Sequence, residues 1–206
     1  MPLLRYLNLF YYLIKMTYDG IRFTELEHLG GNCIEGDPYT YAPGVWTYLI
    51  DRFCIKSMLD VGSGGGHCAE YFFRKNVRAI AMDGLSENIL NSVYPVIQWD
   101  INFGPFKTKV DLVHCQEVVE HISPEYVQHL IDTLKCGHYI CMTHAVPGQG
   151  GHHHVNCQTT EYWVELMKQN NCYLLDEDTK RIKKIAIKEQ SGYLGSTGLL
   201  FCNREF

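Results

Sequence analysis

A short glycine-rich segment follows an apolar run and is the first pattern in the sequence that could do chemistry. Asp60 is followed by Gly62, Gly64 and Gly66 in a DxGxGxG spacing. Glycines between a buried strand and a helix let the backbone approach a ligand closely, and the helix N-terminus offers free N–H groups. His67 stands where the dinucleotide fingerprint GxGxxG needs its third glycine. The sequence therefore predicts a nucleotide-type loop whose leading aspartate suits a ligand with a cationic end.

Two further aspartates come at the ends of the next apolar runs. Asp83 lies about twenty residues after the loop, where an acidic side chain can accept hydrogen bonds from both hydroxyls of a ribose. Asp100 ends the following run and could accept from the exocyclic amine of an adenine. The alternative is that these two aspartates and Asp60 only cap helices.

A second group of candidate residues, in the sequence EVVEH, follows the fourth apolar run. If the chain turns helical there, Glu117, Glu120 and His121 share one face, because positions i, i+3 and i+4 are neighbours on a helix. Two carboxylates and an imidazole suit Mg²⁺ or Mn²⁺ better than a tetrahedral structural zinc. A further ligand would come from the loop 144–156, which contains three consecutive histidines at 152–154.

Short apolar runs alternate with longer segments of helical pattern along the chain. The predicted strands are residues 57–61, 79–82, 96–99, 110–115 and 139–143, and the predicted helices are 44–53, 66–75, 86–93, 123–134 and 159–170. A tail with strands at 172–175 and 197–203 and a helix between them could add an antiparallel pair. This order predicts an α/β fold with a parallel sheet covered by helices on both faces.

Residues 57–143 resemble the core of class I S-adenosylmethionine (SAM)-dependent methyltransferases. The resemblance implies a Rossmann-like fold with a mostly parallel seven-stranded sheet, helices on both faces and an antiparallel C-terminal strand. It also implies a SAM site with the methionine part held by Asp60, Gly62, Gly64 and Gly66, the ribose by Asp83, the adenine by Asp100 with Ile101, and a further cofactor contact from Glu117.

The EVVEH spacing with a downstream histidine is similar to two methyltransferase groups, the ubiquinone-pathway O-methyltransferases and the small-RNA 3′-terminal 2′-O-methyltransferases. This resemblance implies that Glu117, Glu120, His121 and His154 bind a divalent metal, Mg²⁺ or Mn²⁺, with His152 as the alternative last ligand. Related motifs also occur in metal-independent methyltransferases, where the glutamate and the histidine line the methionine pocket.

Methyl transfer to an alcohol requires removal of the hydroxyl proton, which a divalent cation and a nearby imidazole would assist. His144 and His153 are the candidate bases, and Asp37 and Tyr41 are candidate pocket residues.

The HHHVN loop followed by EYW is similar to small glycan methyltransferases of bacteria and large DNA viruses, some of which act on deoxyhexoses such as rhamnose. We therefore expect O-methylation of a sugar hydroxyl. An RNA 3′ end, a phenol or catechol, and SAM binding without catalysis remain the alternatives.

The composition limits the partners and the location. The 206 residues fit one domain, with 1–50 as a helical cap on the substrate side and 51–206 as the SAM-binding core. A net charge of −5 disfavours a long nucleic acid, and the basic run 180–184 is interpreted as a solvated helix face. Nine cysteines without a CxxC pair predict the cytoplasm, or the host cytoplasm for a viral protein. The apolar stretch 3–14 predicts an amphipathic helix that is too short to span a bilayer.

Overall fold

A seven-stranded sheet forms the centre of the protein in a computed structural model that describes residues 28–29 and 37–206. Its strands are β1 Ser57–Val61, β2 Arg78–Asp83, β3 Val96–Gln98, β4 Val110–Cys115, β5 Gly137–Met142, β6 Cys172–Leu174 and β7 Leu199–Asn203. The strand order is β3-β2-β1-β4-β5-β7-β6. Strands β1 to β5 pair in parallel, whereas β7 runs antiparallel to β5 and β6. The predicted mostly parallel sheet with its antiparallel C-terminal strand is confirmed.

The described part of the chain contains seven α-helices and four short 3₁₀ turns. The helices are α1 Pro43–Phe53, α2 His67–Arg74, α3 Ser86–Leu90, α4 Val127–Leu134, α5 Thr160–Gln169, α6 Asp176–Glu189 and α7 Gly192–Thr197. The 3₁₀ turns are Pro38–Thr40, Ile101–Phe103, Val119–His121 and Pro124–Tyr126. None of these helices has the length and apolar character that crossing a membrane requires.

Apolar side chains alternate between the two faces of the sheet, as the pleat of a strand requires. Met58 packs with Trp46 of α1 in one core layer, while the next residue, Leu59, belongs to the opposite layer with Trp163 of α5. Both faces of the inner strands are covered, which explains their nearly continuous apolar sequence. The strand order reverses between β1 and β4, and this switch point opens a crevice at the carboxyl ends of both strands.

Three predicted helices differ from the observed elements. The helix predicted at 123–134 begins as the 3₁₀ turn Pro124–Tyr126 and becomes α-helical only at Val127. The helix predicted at 86–93 ends at Leu90, because Asn91 and Ser92 hydrogen-bond back to carbonyl oxygens of its last turn. The helix on which the EVVEH prediction depended is replaced by the 3₁₀ turn Val119–His121. The amphipathic helix predicted at 3–14 lies outside the described residues.

Candidate active site

The loop between β1 and α2 has the backbone conformation that its glycines favour. Gly62, Gly64 and Gly66 have positive φ angles of 65°, 52° and 80°, a region that other residues rarely adopt. A Cβ on Gly62 would also overlap the side chain of Val118. Gly66 is the N-cap of α2 and contributes no capping side chain, so the first N–H groups of the helix remain available to a ligand.

Asp60 lies near the carboxyl end of β1, only 3% exposed, and opposite His114 in the pairing of β1 with β4. Its Oδ1 is 2.9 Å from His114 Nδ1, and the Sγ of Cys68 is 3.5 Å from the same nitrogen. Its Oδ2 has no hydrogen-bond partner within the described chain. A buried carboxylate with one unpartnered oxygen at a cavity suits a cationic group of a ligand.

Asp83 ends β2 beside the glycine loop and fixes that loop. Its Oδ2 accepts a hydrogen bond from the N–H of Gly64 at 2.8 Å. Its Oδ1 accepts from the N–H of Leu85 at 2.8 Å and from the amide of Asn88 at 3.1 Å. Burial raises the pKa of Asp83, and the two backbone donors act against this rise. The residue also lines the cavity, where a ribose contact remains a prediction.

Asp100 follows β3 and has two partners. Its Oδ1 accepts from the N–H of Asn102 at 2.9 Å and so caps the 3₁₀ turn that begins at Ile101. Its Oδ2 lies 2.6 Å from Nε2 of His28, a residue that carried no motif in the sequence. The capping role is therefore present, but Asp100 and the buried Ile101 also line the cavity, as an adenine site requires.

The second predicted group brings together Glu120, His121 and His154, whose ligand atoms all lie within 4.8 Å of one another. We call these three residues the metal group. Glu120 is 0% exposed, and neither its carboxylate oxygens nor Nδ1 of His121 have a hydrogen-bond partner within the described chain. Burial, and then the charge of Glu117, raises the pKa of Glu120 to about 8. Burial, and then His154, lowers the pKa of His121 to about 4. A bound cation would supply the partners that these buried atoms lack.

Backbone hydrogen bonds bring the histidine-rich loop to the metal group. The carbonyl oxygen of Glu120 accepts from the N–H groups of Val155 and Asn156, both at 3.0 Å. His154, directly before these two residues, stands against His121 in an edge-to-face arrangement with 5.0 Å between the ring centroids. The position of His154 therefore depends on the main chain of Glu120.

Glu117 lies beside the metal group and is not part of it. Its φ angle is positive, 56°, and the 3₁₀ turn begins only at Val119, so the expectation of a shared helical face was wrong. The N–H of Glu117 donates to Oγ1 of Thr143, and this hydroxyl donates to Oε1 of Glu117, both at 2.8 Å. Burial raises the pKa of Glu117. The residue lines the cavity, and its roles toward cofactor and metal remain predictions.

Neither of the two candidate bases is among the described residues that line the cavity. His144 is 1% exposed, its Nε2 lies 3.1 Å from Oγ1 of Thr160, and its Nδ1 contacts a backbone carbonyl. His153 stands between His152 and His154, and both of these neighbours line the cavity. The loop 144–156 therefore brings His152 and His154 to the cavity, but not the candidate bases His144 and His153.

The burial of His144 leads to a prediction about acid sensitivity. Burial lowers the pKa of His144 below its ordinary 6.5. Below pH 6.5 the unfolded chain then binds more protons at this site than the folded protein, so the free energy of unfolding falls as the pH drops. The variant His144→Gln keeps a polar group near Thr160 but cannot titrate, so its stability should depend less on pH below pH 6.5. Urea denaturation of both proteins measures this, and identical pH slopes would contradict it.

Several residues of the site could not be recognised from the sequence. Gln116 follows β4 directly, is 8% exposed, and has no hydrogen-bond partner for either polar atom of its amide within the described chain. His114 looked like an ordinary strand residue. Glu189 and Tyr193 come from the C-terminal region and reach the cavity only through the packing of α6 and α7. For Gln116 alone a signal existed, because it stands just beyond a strand end at the switch point.

One cavity of about 930 Å³ connects these groups. This volume is near the upper end of the range for ligand pockets, roughly 300–1,000 Å³, and can take a cofactor together with an acceptor. The lining includes Asp37 and Tyr41, as expected. Its described residues contain no lysine or arginine but the six carboxylates of Asp37, Asp60, Asp83, Asp100, Glu117 and Glu189.

Solved structures of methyltransferases share this fold. A magnesium protoporphyrin IX methyltransferase from Synechocystis PCC 6803 with bound SAM is 11% identical, with 78% of this chain and 86% of that chain covered and a TM-score of 0.54. Human N-acetylserotonin methyltransferase with SAM is 12% identical, with 78% and 51% covered and a TM-score of 0.53. The methyltransferase domain of bacterial CtHen1 is 13% identical, with 78% and 96% covered and a TM-score of 0.51.

The sequence comparisons assign the family. None of the curated proteins matches the chain. A family model described as a methyltransferase domain matches residues 40–181, a span that includes the glycine loop, the strand-end aspartates and the metal group. With the fold and the site geometry, this match shows that the chain belongs to the methyltransferase-domain family and has the class I SAM-dependent methyltransferase fold.

Proposed function

We propose that the protein is a SAM-dependent O-methyltransferase that uses a divalent metal and methylates a hydroxyl group of a sugar in a glycan. The observation that carries this proposal is the buried carboxyl group of Glu120, to which no N–H or hydroxyl of the described chain donates. It lies beside His121 and His154, two residues that line the same cavity as the strand-end aspartates. Family membership supports the methyl transfer. The donor set supports a hydroxyl acceptor, because an amine would not need a metal to become nucleophilic.

The cavity offers a complementary group to each part of SAM. The unpartnered Oδ2 of Asp60 and the amide of Gln116 suit the ammonium and carboxylate groups of the methionine part. Asp83 suits the ribose hydroxyls, and Asp100 suits the adenine amine. Opposite charges attract strongly in a site shielded from water. The carboxylate-rich lining therefore favours the sulfonium cation over its neutral demethylated product.

The metal group fits Mn²⁺ better than Mg²⁺, because two imidazoles and one carboxylate form a nitrogen-rich donor set. Glu120, His121 and His154 would hold the ion, and a bound ion would lower the pKa of a hydroxyl that binds to it. Burial keeps His121 neutral, so its ring can bind a cation without first losing a proton. Two adjacent hydroxyls of a sugar could contact such an ion together.

A histidine of the loop 144–156 is proposed to take the hydroxyl proton. His152 lines the cavity two positions before the ligand His154, whereas His144 and His153 do not line it. A neutral imidazole is a suitable proton acceptor near physiological pH. The proposed role of general base therefore passes to His152.

A sugar fits the charge of the cavity better than an RNA end does. Proteins hold phosphate groups mainly with lysine, arginine and backbone N–H groups, and the described lining has neither of these cationic side chains. The basic run on α6 does not change this, because none of its residues is among the described residues that line the cavity. A catechol also offers two adjacent uncharged hydroxyls and is the second candidate acceptor.

Transfer of a labelled methyl group from SAM tests the proposal. Oligosaccharides with terminal rhamnose, catechol and short RNAs would each be assayed after EDTA treatment and again after addition of Mn²⁺ or Mg²⁺. We expect incorporation into the oligosaccharides that falls on chelation and recovers with the metal. Incorporation into RNA alone would reject the glycan acceptor, and unchanged turnover after chelation would reject the metal. Calorimetric binding of SAM without any turnover would favour the non-catalytic alternative.

Gly151 allows a test of the metal group in which none of its three side chains is replaced. A Cβ at this position would overlap the ring of His154, whereas a Cβ on the neighbouring Gly150 would meet nothing within 4 Å. Gly151→Ala is therefore expected to displace His154 and to weaken Mn²⁺ binding roughly tenfold or more. Gly150→Ala is the matched control and should bind Mn²⁺ like the wild type. Equal Mn²⁺ affinities of the two variants in calorimetry would remove His154 from the ligand set.

A further inference from the structure

One wall of the cavity consists of Asp37, Tyr41, Glu189 and Tyr193, which we call the outer wall. None of these residues belongs to the glycine loop, to the strand-end aspartates or to the metal group. They come from the segment before α1 and from the region where α6 ends and α7 begins, with 156 positions separating Asp37 from Tyr193. The outer wall is therefore a product of tertiary packing.

Hydrogen bonds within the protein fix the outer wall. The hydroxyl of Tyr193 donates to Oδ2 of Asp37 at 3.1 Å, and Oδ1 of Asp37 accepts from the N–H of Tyr39 at 2.8 Å. Oε1 of Glu189 accepts from the N–H of Gly44, at the start of α1, at 2.8 Å. Because these side chains are already held in place, a ligand that contacts them loses little free energy to their ordering.

The outer wall combines carboxylates with aromatic surface, which suits a ligand that has both hydroxyl groups and a C–H face. Tyr41 is 49% exposed and stands edge-on to Trp46, with 5.1 Å between the ring centroids. Carboxylate oxygens are strong acceptors for hydroxyl donors, and a tyrosine ring adds apolar contact area. A pyranose presents both kinds of surface.

Charge determines which acceptors the outer wall excludes. Asp37 and Glu189 bring two carboxylates to it, and the described lining contains no lysine or arginine to neutralise an anion. A phosphate or sulfate on the acceptor would face like charges, which oppose binding.

We infer that the outer wall is the acceptor subsite and that it binds an uncharged pyranose ring while it rejects phosphorylated and sulfated sugars. Asp37 and Glu189 accept hydrogen bonds from ring hydroxyls, and Tyr41 packs against the C–H face of the ring. This inference rests on the proposed function, because a methyl acceptor must lie beside the SAM site.

Saturation-transfer NMR tests the subsite with methyl α-L-rhamnopyranoside and L-rhamnose 1-phosphate as probes, in the presence of demethylated SAM and of Mg²⁺, which is diamagnetic and does not broaden the signals as Mn²⁺ would. We expect binding of the neutral glycoside and at least several-fold weaker binding of the phosphate. Asp37→Asn and Tyr41→Ala should each weaken glycoside binding roughly three- to tenfold. Tyr162→Phe is the matched control, because Tyr162 is an exposed tyrosine of α5 outside the described lining.

Absence of glycoside binding, unchanged affinity in both variants, or tighter binding of the phosphate would overturn the inference. Circular dichroism checks the fold, and Asp37→Asn decides alone if Tyr41→Ala does not fold, since asparagine can still accept from the N–H of Tyr39. Calorimetry with SAM on the wild type separates the two proposals. A protein that binds SAM but no glycoside would reject the subsite only, whereas a protein that binds no SAM would reject the proposed function.

Discussion

Replacing Glu120 by glutamine is expected to lower the rate of methyl transfer by roughly 100-fold or more, the largest effect we expect from a single substitution. Glutamine has nearly the same size but no negative charge, so Glu120→Gln removes the carboxylate from the metal group. The loss should appear in kcat and in Mn²⁺ affinity, while the SAM affinity changes by no more than about twofold. Steady-state kinetics and calorimetry with Mn²⁺ and with SAM measure these three quantities.

The stability of Glu120→Gln shows whether its expected loss of activity comes from misfolding. Burial raises the pKa of Glu120 from 4.5 to about 8, so between these values the folded metal-free protein binds more protons at this site than the unfolded chain. The stability contributed by the group therefore falls as the pH rises through this range. Because glutamine cannot ionise, Glu120→Gln should be at least as stable as the wild type near pH 8. Glu125→Gln, at an exposed position, is the matched control and should keep its activity. Full activity of Glu120→Gln would contradict the metal role.

Replacing Asp83 by alanine is expected to weaken SAM binding roughly 100-fold. The variant Asp83→Ala loses the carboxylate that is proposed to accept from two ribose hydroxyls, and each hydrogen bond to a charged group contributes about 1.5–3 kcal/mol. It also releases the N–H groups of Gly64 and Leu85, which Asp83 holds at 2.8 Å each. Isothermal titration calorimetry with SAM gives the affinity directly.

Asp111 provides the matched control for Asp83. It lies on the same sheet, but its carboxylate accepts from the N–H groups of Lys56 and Ser57 at the start of β1, the end opposite to the crevice. Asp111→Ala should therefore lower the stability and leave the affinity for SAM unchanged. Equal losses of SAM affinity in Asp83→Ala and Asp111→Ala would show that the effect is structural.

The parts of the site that could be predicted from the sequence depend on neighbours in the chain. A glycine loop between a strand and a helix is a local pattern, and the alternation of apolar runs with helical segments determines the sheet. Asp60, Asp83 and Asp100 were found because parallel strands bring their carboxyl ends to the same edge. All three line the cavity.

The parts that could not be predicted depend on contacts between distant residues or on one backbone angle. The sequence carries no signal for the positive φ of Glu117, because glutamate usually avoids this region. The expected helical face is absent, because the 3₁₀ turn begins only at Val119. The pairing of His28 with Asp100 joins residues 72 positions apart. The outer wall depends on the packing of α6 and α7, and the second of these helices was not predicted.

The hydrogen bond between Asp83 and the N–H of Gly64 has a consequence for the kinetics of cofactor exchange. The protein makes this contact by itself, so the glycine loop already has the shape in which its backbone can meet SAM. Association then needs no slow ordering step and should appear as a single phase whose rate rises linearly with SAM concentration. We expect the demethylated product likewise to leave without rearrangement of this loop, so that the turnover rate is set by the chemistry or by release of the methylated acceptor.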